Sequence, residues 1–223
     1  MKPLKTHDIG VRVIIMQKIL RNIASAIFAL SIFVGPSAVG EPSGVATTAP
    51  EIREDDVFYG KADAKVVIVE YASLTCPHCA NFHKTILPEL KSGPLADGRA
   101  RLVYRDFPLD GLALRAAALS RCGGPSRRLA ILDLLFDSQG VWARSPEPLK
   151  ALSKIGQLAG LKEETSMACM EDKGMLERII AEAQEGEQRH GVQSTPSFVI
   201  DETLYRGGIT AKDIIKVIDT LAN

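Results

Sequence analysis

The stretch that decides the fold is Cys76-Pro77-His78-Cys79, in which two cysteines stand three positions apart. The preceding residues 64–71, Ala-Lys-Val-Val-Ile-Val-Glu-Tyr, are rich in β-branched side chains and predict a buried strand. Residues 80–91 repeat apolar side chains at helical spacing, and proline at 77 suits the first position of a helix. The cysteine pair therefore lies at a helix N-terminus, where free N–H groups and the helix dipole favour a thiolate, the nucleophile of disulfide exchange.

The same cysteine spacing also begins many zinc sites, which need four ligands. The chain has four histidines and four cysteines, and Cys122 and Cys169 stand apart from the motif and from each other. His78 lies between the paired cysteines and cannot easily share a metal with both, which leaves His83 as a further ligand. We therefore expect a redox-active dithiol with no metal and no cofactor. A non-enzymatic structural zinc or disulfide protein is the alternative.

The first forty residues predict export. Five basic residues and one acidic residue precede an apolar run at 23–34, which is too short to span a bilayer comfortably and has the length of a signal-peptide core. Small residues at Ala38 and Gly40 predict cleavage after Gly40, and either Met1 or Met16 is the start. An uncleaved membrane anchor is the alternative. With a cleaved signal peptide or with an uncleaved anchor, the folded part is exported to a compartment where disulfides persist.

The charge balance argues against nucleic acid as a partner. The full chain has 27 basic and 27 acidic residues, and removal of residues 1–40 leaves a net charge of −4. A nearly neutral chain without a basic cluster is not typical of proteins that bind nucleic acids or anionic membrane surfaces.

The remaining chain divides into four segments. Residues 41–56 are rich in proline, serine and threonine and predict a flexible leader. Residues 57–111 contain a short strand, the motif strand and helix, and another strand at 101–107, an order that predicts parallel pairing through a crossover helix. Residues 112–190 are predicted to be helical almost throughout, with Ser145-Pro146 as one helix cap. Residues 191–223 return to a hairpin and a last helix, opened by a Thr210–Asp213 capping box.

Residues 71–83, Tyr-Ala-Ser-Leu-Thr-Cys-Pro-His-Cys-Ala-Asn-Phe-His, and the later Thr195-Pro196 pair resemble the DsbA family of exported thioredoxin-fold thiol:disulfide oxidoreductases. The resemblance covers nearly all of the chain from residue 57 to the C-terminus. It implies an α/β thioredoxin fold in two parts, 57–111 and 191–223, with residues 112–190 as the inserted all-helical domain. It also implies a periplasmic location.

The resemblance further implies roles for the motif residues. Cys76 is expected to be the partly exposed nucleophile, and Cys79, one turn into the helix, the more buried partner that resolves mixed disulfides. Pro77 and His78 are expected to tune the redox couple of the two cysteines, and His78 would do so through an imidazolium beside the thiolate. Pro196 is expected to be cis and to lie against the cysteine pair.

Two further residues belong to the implied site. Thr195 would offer backbone groups to a substrate strand. Glu70 would be a buried acid beneath the cysteine pair that accepts or relays the proton of Cys79, with Arg101 or Arg105 on the neighbouring strand as a possible ion-pair partner.

Cys122 and Cys169 are expected to form a second, structural disulfide within the helical insertion, because two lone cysteines of an exported domain commonly pair. Some DsbA-like proteins carry such a bond. A second redox-active pair that tunes the first is the alternative, as are two free thiols.

The function implied is a periplasmic oxidase that donates the Cys76–Cys79 disulfide to reduced or unfolded exported proteins and is reoxidised by a DsbB-like membrane partner. We expect a monomer, because the short segment between the cleavage site and the fold is too small for a dimerisation domain. Thr195 is commoner among isomerases and reductases of this fold, so an isomerase or reductase is the alternative.

Overall fold

The computed structural model describes residues 44–223. The predicted signal peptide at 1–40 and its cleavage point lie outside the described residues. Within residues 44–223, no helix combines the length and the apolar character that crossing a membrane requires.

A six-stranded mixed sheet forms the centre of the fold, in the order β1-β6-β5-β3-β4-β2. The motif strand β3 pairs in parallel with β4 and antiparallel with β5, so the predicted parallel crossover is confirmed. The strands are β1 (Val45–Ala46), β2 (Val57–Gly60), β3 (Val66–Ala72), β4 (Ala100–Asp106), β5 (Ser197–Ile200) and β6 (Thr203–Arg206).

The crossover between β3 and β4 is helical and begins at the cysteine motif. It runs through α1 (Pro77–Asn81), a π-helical turn (Phe82–Ile86), α2 (Leu87–Ser92) and α3 (Pro94–Asp97). Phe82, Leu87 and Leu90 are buried against the sheet. This apolar contact fixes the start of α1 over the C-terminal end of β3.

The predicted helical insertion consists of six helices, here called the helical block: α4 (Gly111–Cys122), α5 (Pro125–Asp137), α6 (Gln139–Trp142), α7 (Pro148–Leu158), α8 (Glu163–Glu171) and α9 (Lys173–His190). The predicted cap at Ser145-Pro146 is wrong, since α7 has Glu147 at the N-cap and Pro148 at its first position. Ser145 instead closes the preceding turn, where its hydroxyl accepts from the Glu147 N–H at 3.1 Å.

The helical block has an apolar core of its own that continues to the cysteine motif. The side chains fully buried in this core include Trp142, Leu132, Leu135 and Phe136. Cys76 and Cys79 belong to the same buried cluster. The block therefore covers the motif from one side.

Residues 45–56, which belong to the predicted flexible leader, make specific contacts in the structure. Strand β1 pairs with β6 and forms one edge of the sheet. Arg53 forms an ion pair with Glu185 of α9 at 2.7 Å, and Asp56 forms one with Arg105 of β4 at 2.7 Å. Composition alone misses this order, because the partners lie far away in the sequence.

The C-terminal part follows the prediction closely. The hairpin of β5 and β6 leads into α10 (Ala211–Ala222), and the capping box between Thr210 and Asp213 is confirmed. The apolar side chains Ile214 and Ile218 of α10 are buried on the same face of the sheet as α1 and α2.

Helix α9 covers the opposite face of the sheet through a close contact at a glycine. Gly186 is buried, and a Cβ atom added there would lie 2.5 Å from the ring of Tyr71 on β3. The Tyr71 side chain is itself fully buried, so its ring has little room to move. The glycine is therefore required by packing rather than by backbone conformation.

Gly186→Ala is expected to lower the free energy of unfolding by about 1 kcal/mol or more, because overpacking costs about 1–3 kcal/mol and exceeds the gain in helix propensity. Gly140→Ala is the matched control, since no atom lies within 4 Å of the added Cβ in α6. It should leave stability unchanged or raise it by up to about 1 kcal/mol. Urea unfolding of both variants measures the difference, and equal stability would contradict the packing account.

Candidate active site

Cys76 occupies the N-cap of α1, with extended backbone torsions (φ −77°, ψ 119°), and Pro77 takes the first helical position. Cys79 lies one turn into the helix. Both cysteines are free thiols in the structure. Cys76 retains 6% of its surface and Cys79 none, so the order of exposure is as expected while Cys76 is more covered than expected.

Several donors converge on the sulfur of Cys76 and lower its pKa to about 5. The hydrogen bond from the Cys79 thiol contributes most. The Thr195 side chain and the backbone N–H groups of Cys79 and His78 add to it, while burial opposes them. Against an ordinary thiol, a depression of this size corresponds to ~5 kcal/mol in favour of the thiolate. The Cys76 sulfur is therefore ionised at neutral pH.

The pKa of Cys79 is shifted in the opposite direction. Burial raises it far above the ordinary value, and the hydrogen bond to Cys76 and the negative charge of Glu70 raise it further. Cys79 therefore stays protonated while Cys76 is a thiolate. The two sulfurs of one short motif are thus divided into a nucleophile and a proton-holding partner.

The Thr195–Pro196 peptide bond is cis, and the Thr195 carbonyl oxygen lies 3.4 Å from the Cys76 sulfur. The Cys76 thiol can donate to this carbonyl when it is protonated. The Thr195 hydroxyl is buried and makes no hydrogen bond to the described residues. It is thus free to donate to the thiolate, in agreement with its contribution to the low pKa of Cys76.

The Pro77 and His78 side chains are exposed beside the cysteines. His78 lines a shallow apolar cleft together with Pro196, Phe82, Phe198 and Ile209. The backbone N–H of His78 is among the groups that lower the pKa of Cys76. The structure therefore brings together Cys76, Cys79, the motif turn and the Thr195–Pro196 segment, as the sequence predicted.

Glu70 is fully buried on β3 and accepts hydrogen bonds from Nε2 of His83 at 3.1 and 3.2 Å. The imidazole of His83 stacks on the ring of Phe136, with a centroid distance of 3.9 Å, and its Nδ1 atom has no partner in the described part of the chain. From the sequence alone, His83 is a candidate only for a zinc ligand. Its spacing of four residues from Cys79 is the sequence signal that places His83 near the active site, because one helical turn brings both side chains toward the sheet.

The suggested partners of Glu70 were wrong. Arg105 pairs with Asp56 and donates to the Tyr71 hydroxyl at 3.2 Å, and Arg101 donates to a main-chain carbonyl. The reason is strand register. Glu70 lies opposite Tyr104 on β4, so side chains at odd offsets from Tyr104, such as Arg101 and Arg105, project from the other face of the sheet.

Cys122 and Cys169 are bonded to each other in the structure, with Cα atoms 6.0 Å apart. The bond joins the end of α4 to α8 inside the helical block. Among residues 44–223, no cluster of three or more histidine, cysteine, aspartate or glutamate side chains is arranged to hold a metal ion.

A family model described as thioredoxin matches residues 53–220. The chain belongs to the thioredoxin family. Among thioredoxin-family structures, alpha-DsbA1 of Wolbachia pipientis is similar, with 29% identity and a TM-score of 0.71 over 77% of this chain and 92% of that one. BdbD of Bacillus subtilis shares the fold, with a TM-score of 0.70 and 18% identity over 81% of this chain and 99% of that one. This thioredoxin-family chain is therefore DsbA-like, with the helical block as the inserted domain.

A curated relative of this thioredoxin-family chain is a candidate protein-disulfide oxidoreductase of Rickettsia bellii, 35% identical over 152 residues. The match covers 68% of this chain and 59% of the relative. A candidate protein-disulfide oxidoreductase of Rickettsia conorii is 32% identical over 68% of this chain and 55% of its own length. The chain thus spans less than two thirds of the length of these relatives.

Removal of the Cys79 thiol is expected to raise the pKa of Cys76, because the largest contribution to its low value is lost. A hydrogen bond to a charged group contributes about 1.5–3 kcal/mol, so Cys79→Ala should raise the pKa by about one to two units. Cys79→Ser keeps a donor at the same position and should shift the pKa less. The pH dependence of iodoacetamide alkylation gives the pKa of Cys76 in the unaltered protein and in both variants. Identical profiles would contradict the role of the Cys79 thiol as the main donor to Cys76.

Proposed function

We propose that this protein is a thiol:disulfide oxidase that donates the Cys76–Cys79 disulfide to reduced, exported proteins. The opposite pKa shifts of the two cysteines carry the proposal. A thiol with a low pKa is a good leaving group, and stabilisation of the reduced form makes the oxidised form a strong donor of disulfides. DsbA illustrates this relation between a depressed cysteine pKa and oxidising strength.

In the proposed reaction, a substrate thiolate attacks the Cys76 sulfur of the oxidised protein. The Cys76–Cys79 bond breaks, a mixed disulfide forms at Cys76, and the Cys79 sulfur leaves and takes up a proton. A second substrate thiolate then attacks the substrate sulfur of the mixed disulfide. Cys76 leaves as a stable thiolate, and the two electrons of the substrate dithiol end on the cysteine pair.

Glu70 and His83 support the protonation of Cys79. The carboxylate is buried near Cys79 and raises its pKa, and the imidazole of His83 holds the carboxylate in place by a hydrogen bond. We therefore assign to this buried pair the role of accepting and returning the Cys79 proton. Thr195, next to the cis proline, would present its backbone to an extended substrate segment.

The proposed setting is the periplasm, reached through the signal peptide that the N-terminal sequence indicates. The proposed substrates are unfolded or reduced exported proteins, and a quinone-linked membrane protein of the DsbB kind would restore the disulfide. Residues 1–40, which lie outside the described part, carry the export signal in this proposal. The protein would act as a monomer.

An isomerase or reductase on the same fold is the second candidate, and Thr195 is the observation that favours it. Its hydroxyl is one of the donors that lower the pKa of Cys76. An isomerase needs a thiolate that attacks scrambled disulfides and then leaves again, and a stabilised thiolate also suits that cycle.

Reduction of the Cys76–Cys79 disulfide is expected to stabilise the protein, and increasingly so as the pH rises. The folded pKa of Cys76 is about 5, below the ordinary value near 8.5, so the stabilisation is absent below pH 5 and grows up to pH 8.5. Between pH 5 and pH 8 the gain is about 3 kcal/mol. Above pH 8.5 the raised pKa of Cys79 acts in the opposite sense, because only the unfolded chain ionises there.

Urea unfolding of the reduced and oxidised proteins at pH 5 and pH 8 measures this difference, with Cys122–Cys169 kept intact. Cys76→Ser in the Cys79→Ser background provides the control, since its stability should lack the thiolate-dependent rise. An oxidised form that is clearly more stable at pH 8 would overturn the oxidase proposal.

Oxidase and isomerase activities are expected to separate in two ribonuclease assays. The protein should rapidly oxidise reduced ribonuclease and poorly repair scrambled ribonuclease, with sedimentation showing a monomer. Thr195→Val removes a thiolate donor, which should raise the pKa of Cys76 and so make the protein a weaker oxidant of reduced ribonuclease. Strong repair of scrambled ribonuclease by a stable oligomer would favour the isomerase instead.

A further inference from the structure

Gln139 extends from the helical block into the loop that carries the nucleophile. It is the first residue of α6, and its side chain is buried. Its Nε2 atom lies 2.8 Å from the Leu74 carbonyl oxygen and 2.9 Å from the Cys76 carbonyl oxygen. A primary amide has two N–H donors, so this one side chain donates to both carbonyls.

The two carbonyls stand on either side of Cys76. The Leu74 carbonyl belongs to the peptide unit before Thr75, and the Cys76 carbonyl belongs to the unit between Cys76 and Pro77. Each peptide unit is planar, so anchoring both planes restricts the backbone torsions of Thr75 and Cys76 between them. The direction of the Cys76 side chain follows from those torsions.

The Leu74 carbonyl depends on Gln139 more than the Cys76 carbonyl does. The Cys76 oxygen also accepts the first helical hydrogen bond, from the Ala80 N–H at 3.2 Å. Within residues 44–223, Gln139 is the one donor that reaches the Leu74 oxygen. Loss of the amide would therefore leave a carbonyl unpaired in a buried residue and release the segment before the nucleophile.

A second contact from the helical block reaches the same loop but is exposed. The Thr75 hydroxyl donates to Oδ2 of Asp110 at 2.6 Å, while Oδ1 of Asp110 accepts from the N–H groups of Leu112 and Ala113 at the start of α4. Water competes for an exposed hydrogen bond and not for a buried one. Gln139 is therefore the stronger of the two anchors.

We propose that Gln139 is a positioning residue of the active site, which holds the Cys76 backbone in the orientation that disulfide exchange requires. It contacts no substrate and acts through the loop. The proposal deepens the proposed function, since it concerns the same nucleophile. It also assigns a task to the helical block, which orients the cysteine as well as covering it.

Gln139→Met tests the proposal, because methionine preserves the length and volume of the side chain and removes both donors. The Cys76 sulfur should lose its alignment with the surrounding donors, so its pKa should rise by about one unit. The rate of iodoacetamide alkylation at pH 5.5 should then fall about threefold.

Trp142→Phe is the matched control from the same short helix. It removes a comparable buried hydrogen bond, from Nε1 of Trp142 to the Leu135 carbonyl at 2.7 Å, which lies wholly within the helical block. The control should lower the urea midpoint as Gln139→Met does and leave the alkylation profile unchanged. Unchanged alkylation in Gln139→Met, with a similar loss of stability, would overturn the proposal and make Gln139 a structural residue only.

A measurement on the unaltered protein covers the case in which Gln139→Met does not fold. In the reduced protein, the side-chain amide protons of Gln139 should exchange with solvent at least tenfold more slowly than those of the exposed Gln188, because both protons are hydrogen-bonded and buried. Equal exchange rates would overturn the proposal. Alkylation reports on Cys76 and amide exchange reports on Gln139, so both remain decisive even if the ribonuclease assays reject the oxidase function.

Discussion

The hydrogen bond from the Cys79 thiol to the Cys76 thiolate is the interaction on which the rest of the active site depends. Two chemically identical side chains receive opposite protonation states because one lies at the helix N-terminus among donors and the other is buried above a carboxylate. Burial opposes ionisation of both sulfurs. Only the directed donors around Cys76 overcome it, so the chemistry depends on the orientation of a few N–H, S–H and O–H groups.

The two halves of the fold meet at this hydrogen bond. The sheet supplies Glu70 from β3 and the cis peptide before β5, while the helical block covers the motif and reaches its loop through Gln139 and Asp110. His83 joins the two parts, since it pairs with Glu70 and stacks on Phe136 of α5. The loop at this junction is held by hydrogen bonds with the helical block, which gives the nucleophile a defined environment.

The order of the elements was predictable because it depends on local patterns. The β-branched run before Cys76, the apolar repeat after it and the capping box at Thr210 each act within a few residues, and all three have counterparts in the structure. Predictions failed where a partner came from far away. The composition of residues 45–56 predicts flexibility because their partners, Glu185 and Arg105, are distant in sequence. The predicted pairing of Glu70 with Arg101 or Arg105 is wrong because the sequence does not give the strand register.

The sequence by itself determined the cysteine motif, the helix N-terminus that activates it, and the insertion of helices between two parts of one sheet, because these follow from residue spacing and periodicity. Only the tertiary structure decided which groups surround the sulfurs. The His83–Glu70 pair, the free hydroxyl of Thr195 and the amide of Gln139 reach the site from separate elements. Hydrogen bonds act over about 3 Å, and folding alone brings such groups within that distance.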